Sequence, residues 1–184
     1  MKTLGLDLSS VATGWSVFEE DGLVASGVIN PPKSTLSEAA KFFYIAHSVA
    51  GLIKMYRPTD ISVEDTFFAK DPTVLKKLNR IAGQIQYLWF SYSGKNVNFY
   101  MASTVRKSFP GLTGKSKKEE IVSAVNKEFH MRTKDHNIAD AIVVGCHHVM
   151  LELGKEMNDS KGFIARVKEG GKSRVRPKRH HRRT

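Results

Sequence analysis

Asp7, Glu64 and Asp140 are far apart in the chain, yet each stands at or near the end of an element whose pattern aims its carboxylate at a shared place. Three carboxylates cannot share a dry pocket without cations between them. A pair of Mg2+ ions held by acids is a machine for cutting phosphodiesters, because the ions stabilise the attacking and leaving oxygens together. The elements that would position these acids can be read from the residues around them.

In residues 2–8, Leu4, Leu6 and Leu8 alternate with Gly5 and Asp7, the period of a half-buried strand, so Asp7 faces away from the leucines. A small-residue turn from Ser9 leads into a second apolar strand ending near Phe18, and Gly22 and Gly27 frame a third. Strand, turn, strand, turn, strand is an antiparallel meander opening a mixed sheet. Residues 60–64 alternate again, with Ile61 and Val63 on one face and Ser62 and Glu64 on the other. Asp65 would share the face of Val63, so parity prefers Glu64 as the site residue, with Asp65 as its rival and a solvated surface acid as the plain alternative.

Residues 135–151 are apolar nearly all round after Asp140, as expected of a helix packed on a sheet. Asp135 suits an N-cap, where a carboxylate meets unpaired amides. His136 and Asn137, four and three residues before Asp140, share its helix face. Asp135 lies about 140° round and could join only through an irregular first turn. Other helices are predicted over 37–55, 73–91 and 117–129, with a short strand over 96–100.

These residues carry a resemblance. The runs Gly5-Leu6-Asp7-Leu8-Ser9, Val63-Glu64-Asp65-Thr66-Phe67-Phe68-Ala69-Lys70 and Ala139-Asp140-Ala141 resemble the motifs of RuvC-type Holliday junction resolvases, in the ribonuclease H-like superfamily. Arg80-Ile81-Ala82-Gly83-Gln84-Ile85 is similar to that family's glycine-containing helix. Val105-Arg106-Lys107-Ser108-Phe109-Pro110-Gly111 and Lys115-Ser116-Lys117-Lys118-Glu119-Glu120-Ile121 are similar to its lysine-bearing stretch. Order and spacing agree over about residues 1–155.

The resemblance implies an α/β fold, a mixed five-stranded sheet flanked by helices, in a homodimer that nicks four-way DNA junctions symmetrically to leave 5′-phosphate and 3′-hydroxyl ends. It implies Asp7, Glu64 and Asp140 as ligands of two Mg2+ ions, with Mn2+ able to substitute. The family places an acid or histidine three residues before the final Asp, where this chain has Asn137. The fourth ligand is therefore open among His136, Asp135 and Asn137, and His136 is favoured as ligand or general base. By the same resemblance Phe67 is a wedge at opened bases, while Phe68 has equal claims as a second stacking ring or a core residue under the loop. Lys70, Arg106, Lys107, Lys115, Lys117 and Lys118 are candidates for phosphate contact or charge screening, against the plainer reading of a solvated helix face.

Of the formal net charge of +11, +9 falls in residues 161–184, which hold ten basic residues and one acid. That segment has almost nothing apolar to bury. It divides the chain into a nuclease domain over 1–157 and a basic tail over 158–184, expected to be disordered when free and to follow a DNA backbone through Arg174, Arg176, Lys178 and Arg179. No apolar run is long enough to span a membrane and no secretory signal opens the chain, so a cytoplasmic, nucleoid-associated protein is expected. Cys146, the one cysteine, reads as a buried small hydrophobe. A cysteine nucleophile with His147 or His148 is the rival, but adjacent helical residues point about 100° apart. Two other functions compete: a nuclease-like domain that binds nucleic acid without cutting it, and, from the Asp7-Leu8-Ser9-Ser10 turn, a fragment of an actin-like kinase.

Overall fold

The computed structural model describes residues 1–20, 22–32, 37–65 and 71–154. Strands β1 (Lys2–Asp7), β2 (Thr13–Glu19) and β3 (Gly22–Ile29) form the antiparallel meander, and β4 (Asp60–Asp65) and β5 (Asn98–Met101) extend it in parallel beyond β1. The strand order is β3-β2-β1-β4-β5. Helices α1 (Glu38–Tyr56) and α2 (Pro72–Ser93) make the crossovers to β4 and β5, and α3 (Ala102–Lys107), α4 (Lys118–Phe129) and α5 (His136–Glu152) follow. No helix among the described residues is long and apolar enough to cross a membrane.

Local chemistry sets the helix ends. Ser37 caps α1 by accepting from the Ala40 amide, and Arg57 closes it in the left-handed conformation before Pro58. Asp71 caps α2 through the Thr73 amide, Pro72 starts it, and Gly94 ends it at φ 71°. These ends agree with the predicted helices to within two residues. Helix α3 was not anticipated, because its six residues carry neither a side-chain cap nor a full period of apolar spacing.

The two faces of the sheet differ in residue size. On one, Leu4, Leu6, Val17, Ile61 and Val63 meet Phe42, Ile45, Val49 and Ile53 of α1 and Ile81, Ile85 and Trp89 of α2. On the other, Gly5, Gly14, Ser16 and Ser62 form a shallow floor on which α5 lies. The Ser16 hydroxyl donates to the Ala141 carbonyl at 2.7 Å, and a Cβ on Gly5 would come within 2.7 Å of both the Ala141 oxygen and the Gly145 nitrogen. The strand expected to be half-buried is thus covered on both faces, because its polar side consists of residues small enough to admit a helix.

Helix α5 is buried from Ala139 through Met150. The sheet lies on one side of it, and Val105, Phe109, Leu112, Ile121 and Val125 close the other. Gly14 fixes its entry. A Cβ there would overlap the backbone carbonyl of Asn137, which has no freedom to yield. Gly14→Ala is expected to cost about 3 kcal/mol, a fall in melting temperature of roughly 6–12 °C, and to displace the start of α5. Calorimetry checks this, and a change under 2 °C would show that the contact is not tight.

Candidate active site

Register brings the first two acids together. Leu6 stands opposite Val63 in the parallel pair of β1 and β4, so Asp7 and Glu64 follow side by side at the strand ends, on the face that α5 covers. Asp65 turns to the other face and is exposed. Asp140 enters from the second turn of α5 and is only 6% exposed.

The electrostatics record this convergence. Burial holds the Asp7 carboxyl well above its ordinary value, and the charges of Asp140 and then Glu64 push it further. Glu64 is raised to about 7, first by burial and then by Asp140. Asp140 is raised by burial as well. Two cations oppose these shifts in all three acids, Arg106 and Lys118, and His136 adds its charge at Asp140. Each acid is therefore harder to ionise here than in water, and added positive charge would ease its ionisation.

The candidates for the fourth position separate by what they touch. Asp135 caps α5, its Oδ1 accepting from the Asn137 amide at 2.9 Å and from Asn137 Nδ2 at 3.0 Å. Both Asp135 and the Asn137 side-chain amide are thereby engaged in the helix start. His136 is left as the candidate whose charge reaches Asp140.

The basic candidates also divide. Arg106 Nη2 lies 3.8 Å from Glu64 Oε1, and Lys118 acts on all three acids from the first turn of α4. Lys107 runs beside Gly114, the backbone amide of Lys115 bonds Thr113 Oγ1, and that of Lys117 donates to Glu120 Oε2 at the start of α4. Phe67, Phe68, Lys70, Arg174, Arg176, Lys178 and Arg179 lie outside the described residues.

Sequence reasoning missed the partners of two histidines. His147 Nδ1 lies 2.7 Å from Ser108 Oγ, which itself donates to the Val105 carbonyl at 2.7 Å. The serine proton being so used, His147 must donate through Nδ1. His148 Nδ1 pairs with the Tyr100 hydroxyl at 2.8 Å. Burial in an apolar helix was the available signal, since buried imidazoles demand partners, but the partners are 39 and 48 residues distant. Burial also pushes the Cys146 thiol up to about 12, which removes it as a nucleophile.

The donor chemistry of the three acids suits a hard divalent cation, which prefers carboxylate oxygen and would relieve the charge that raises their pKa values. Among the described residues no three such side chains are already gathered closely enough to hold a metal ion by themselves.

A five-stranded sheet of this order, with acids ending its central parallel pair and a further acid on a helix laid across it, defines the ribonuclease H-like nuclease class. The chain belongs to the crossover junction endodeoxyribonuclease RuvC family, whose profile matches residues 3–148; its members are metal-dependent nucleases. It is 30% identical over 159 residues to the RuvC of Rhodospirillum rubrum, covering 84% of this chain and 92% of that one, and 27% identical to that of Hahella chejuensis over 88% and 98%. Among solved structures, Thermus thermophilus RuvC superposes with a TM-score of 0.69 at 21% identity over 84% of this chain and 98% of that one. The yeast mitochondrial Holliday junction resolvase superposes with a TM-score of 0.60 at 12% identity over 88% and 83%.

The raised Glu64 value fixes a pH dependence. The folded protein binds the Glu64 proton up to about pH 7, whereas the unfolded chain releases it near 4.5. Folding stability must then fall as pH rises through that window and stay low above it. In chelator, Glu64→Gln is expected to stay close to the wild type near pH 5 and to melt roughly 5–10 °C higher at pH 8. Parallel melting curves across that range would remove Glu64 from the desolvated site.

Proposed function

We propose that this protein is a structure-selective endonuclease that resolves Holliday and related branched junctions by paired symmetric nicks, acting in the cytoplasm at the nucleoid. The observation that supports this most is the convergence of Asp7, Glu64 and Asp140 with two cations, Arg106 and Lys118, beside them. The RuvC of Thermus thermophilus, with the same fold, has been solved in complex with a Holliday junction substrate.

In this reading Asp7, Glu64 and Asp140 hold two Mg2+ ions, for which Mn2+ substitutes. Bound there, the ions would supply Lewis acidity toward the attacking water and the leaving 3′ oxygen. The rest falls to the chain. His136 accepts the water's proton at a ring nitrogen, as His-type general bases do near neutral pH. Arg106 and Lys118 hold the phosphate oxygens, on which negative charge grows in the transition state. Phe67 and Phe68 meet the opened bases, and Lys70, Lys107, Lys115 and Lys117 carry the adjacent backbone. Residues 158–184 add phosphate contacts without sequence preference through Arg174, Arg176, Lys178 and Arg179.

A homodimer supplies the second nick, since a two-fold pair of sites matches a two-fold pair of strands. The outer face of α1 and α2 supports it. Phe43, Tyr87 and Phe90 are 69%, 77% and 56% exposed, and nothing lies within 4 Å of a Cβ built on Gly83 between them. An apolar stripe around a glycine lets a second helix approach closely.

With a synthetic four-way junction and Mg2+ or Mn2+, wild-type protein is expected to give paired cuts with 5′-phosphate ends. Asp7→Asn, Glu64→Gln and Asp140→Asn should each lower cutting at least about a thousandfold with junction affinity retained, and deletion of residues 161–184 should flatten the salt dependence of binding. A protein that binds junctions and never nicks them would instead be a binding module of the same fold. For the dimer, Tyr87→Asp is expected to sediment as a monomer and to release single nicks rather than paired ones. A dimer that persists in that variant would place the interface elsewhere.

A further inference from the structure

The contact between Arg106 and Glu64 differs in kind from the other ion pairs. Arg80 meets Glu38 at 2.7 Å, whereas Arg106 Nη2 stands 3.8 Å from Glu64 Oε1 although both side chains are about four-fifths shielded from solvent. An arginine kept for structure is held by two short parallel bonds. Among the described residues Arg106 has one long contact, and its Nε is buried with no hydrogen-bond partner there. Its backbone, in contrast, is pinned: α3 ends at Ser108, which is tied to Val105 and to His147 on α5. The guanidinium is thus a loosely held cation on a fixed base.

We propose that Arg106 is the built-in counterion of the three-acid site, holding Glu64 in the cation-free protein and leaving it for a phosphate oxygen of the substrate when divalent cations bind. This rests on the reading of the three acids as cation ligands. Electrostatics favours an exchange. Three carboxylates are opposed by Arg106, Lys118 and His136, so divalent ions added to an unchanged site would leave it strongly positive in a poorly solvated place. A divalent ion on Glu64 would also repel the guanidinium beside it. Withdrawal of Arg106 from Glu64 relieves that repulsion, and the planar guanidinium, with five donors, is then available to a substrate phosphate, whose negative charge offsets the added cations. The support that Arg106 gives to the ionised forms of Asp7, Glu64 and Asp140 agrees with the counterion role.

The experiment is a titration of full-length, DNA-free protein with Mn2+, read by the electron paramagnetic resonance of the free ion. Arg106→Gln is expected to bind Mn2+ about tenfold more tightly than wild type, and the gain should vanish when Glu64→Gln is also present. Affinity equal to or weaker than that of wild type would overturn the proposal. Should Arg106→Gln not fold, wild-type protein decides: the Arg106 Nε–H resonance should shift on saturation with Mg2+, and an unmoved resonance in Mg2+-bound protein refutes the exchange. Wild type that binds no Mn2+ at a site lost in Asp7→Asn and Asp140→Asn would instead sink the ligand assignment, and the counterion with it.

Discussion

Mutual repulsion of three carboxylates, brought out of water at one edge of a sheet, is the constraint around which the rest of this structure is arranged. Each of Asp7, Glu64 and Asp140 would be more comfortable alone in solvent, and burial raises the pKa of all three. The fold must supply the energy that keeps them together. It does so through elements that cannot separate without exposing the core: Leu6 and Val63 are fully buried directly behind Asp7 and Glu64, and Ala139 and Ala141 flank Asp140 with no exposure.

Close approach is the second requirement, and glycine and serine meet it. Helix α5 reaches the sheet because Gly5, Gly14 and Ser16 leave room for its backbone, with Ser16 bonding the Ala141 carbonyl next to Asp140. A larger residue at any of these positions would lift the helix, and the acid with it. On the far side of α5, the His147 bond to Ser108 sets the end of α3. One buried helix therefore places both an acid of the site and the base from which Arg106 reaches Glu64. The histidines that might have served a thiol nucleophile instead brace the site from behind.

Cations complete the balance. Arg106 and Lys118 are the chain's own counterweight to the acids, and divalent ions are the natural addition for a family of metal-dependent nucleases.

Much of this was legible in the residues because it depends on local period. Strand alternation put Asp7 opposite the leucines and preferred Glu64 to Asp65, and an N-cap pattern at Asp135 marked the start of α5. The mixed five-stranded sheet followed from the resemblance of the motifs, whereas the order of its strands came from the structure, since a sequence shows strands without showing which lie side by side. What the tertiary structure alone decided depends on contacts between distant residues. It covered the second face of β1, paired His147 with Ser108 and His148 with Tyr100, engaged Asp135 and Asn137 with each other, and turned Arg106 toward Glu64. Period and propensity specify which way a side chain leaves its own element. The partner it meets is set by the packing of elements far apart in the chain, and a buried charge takes its character from that partner.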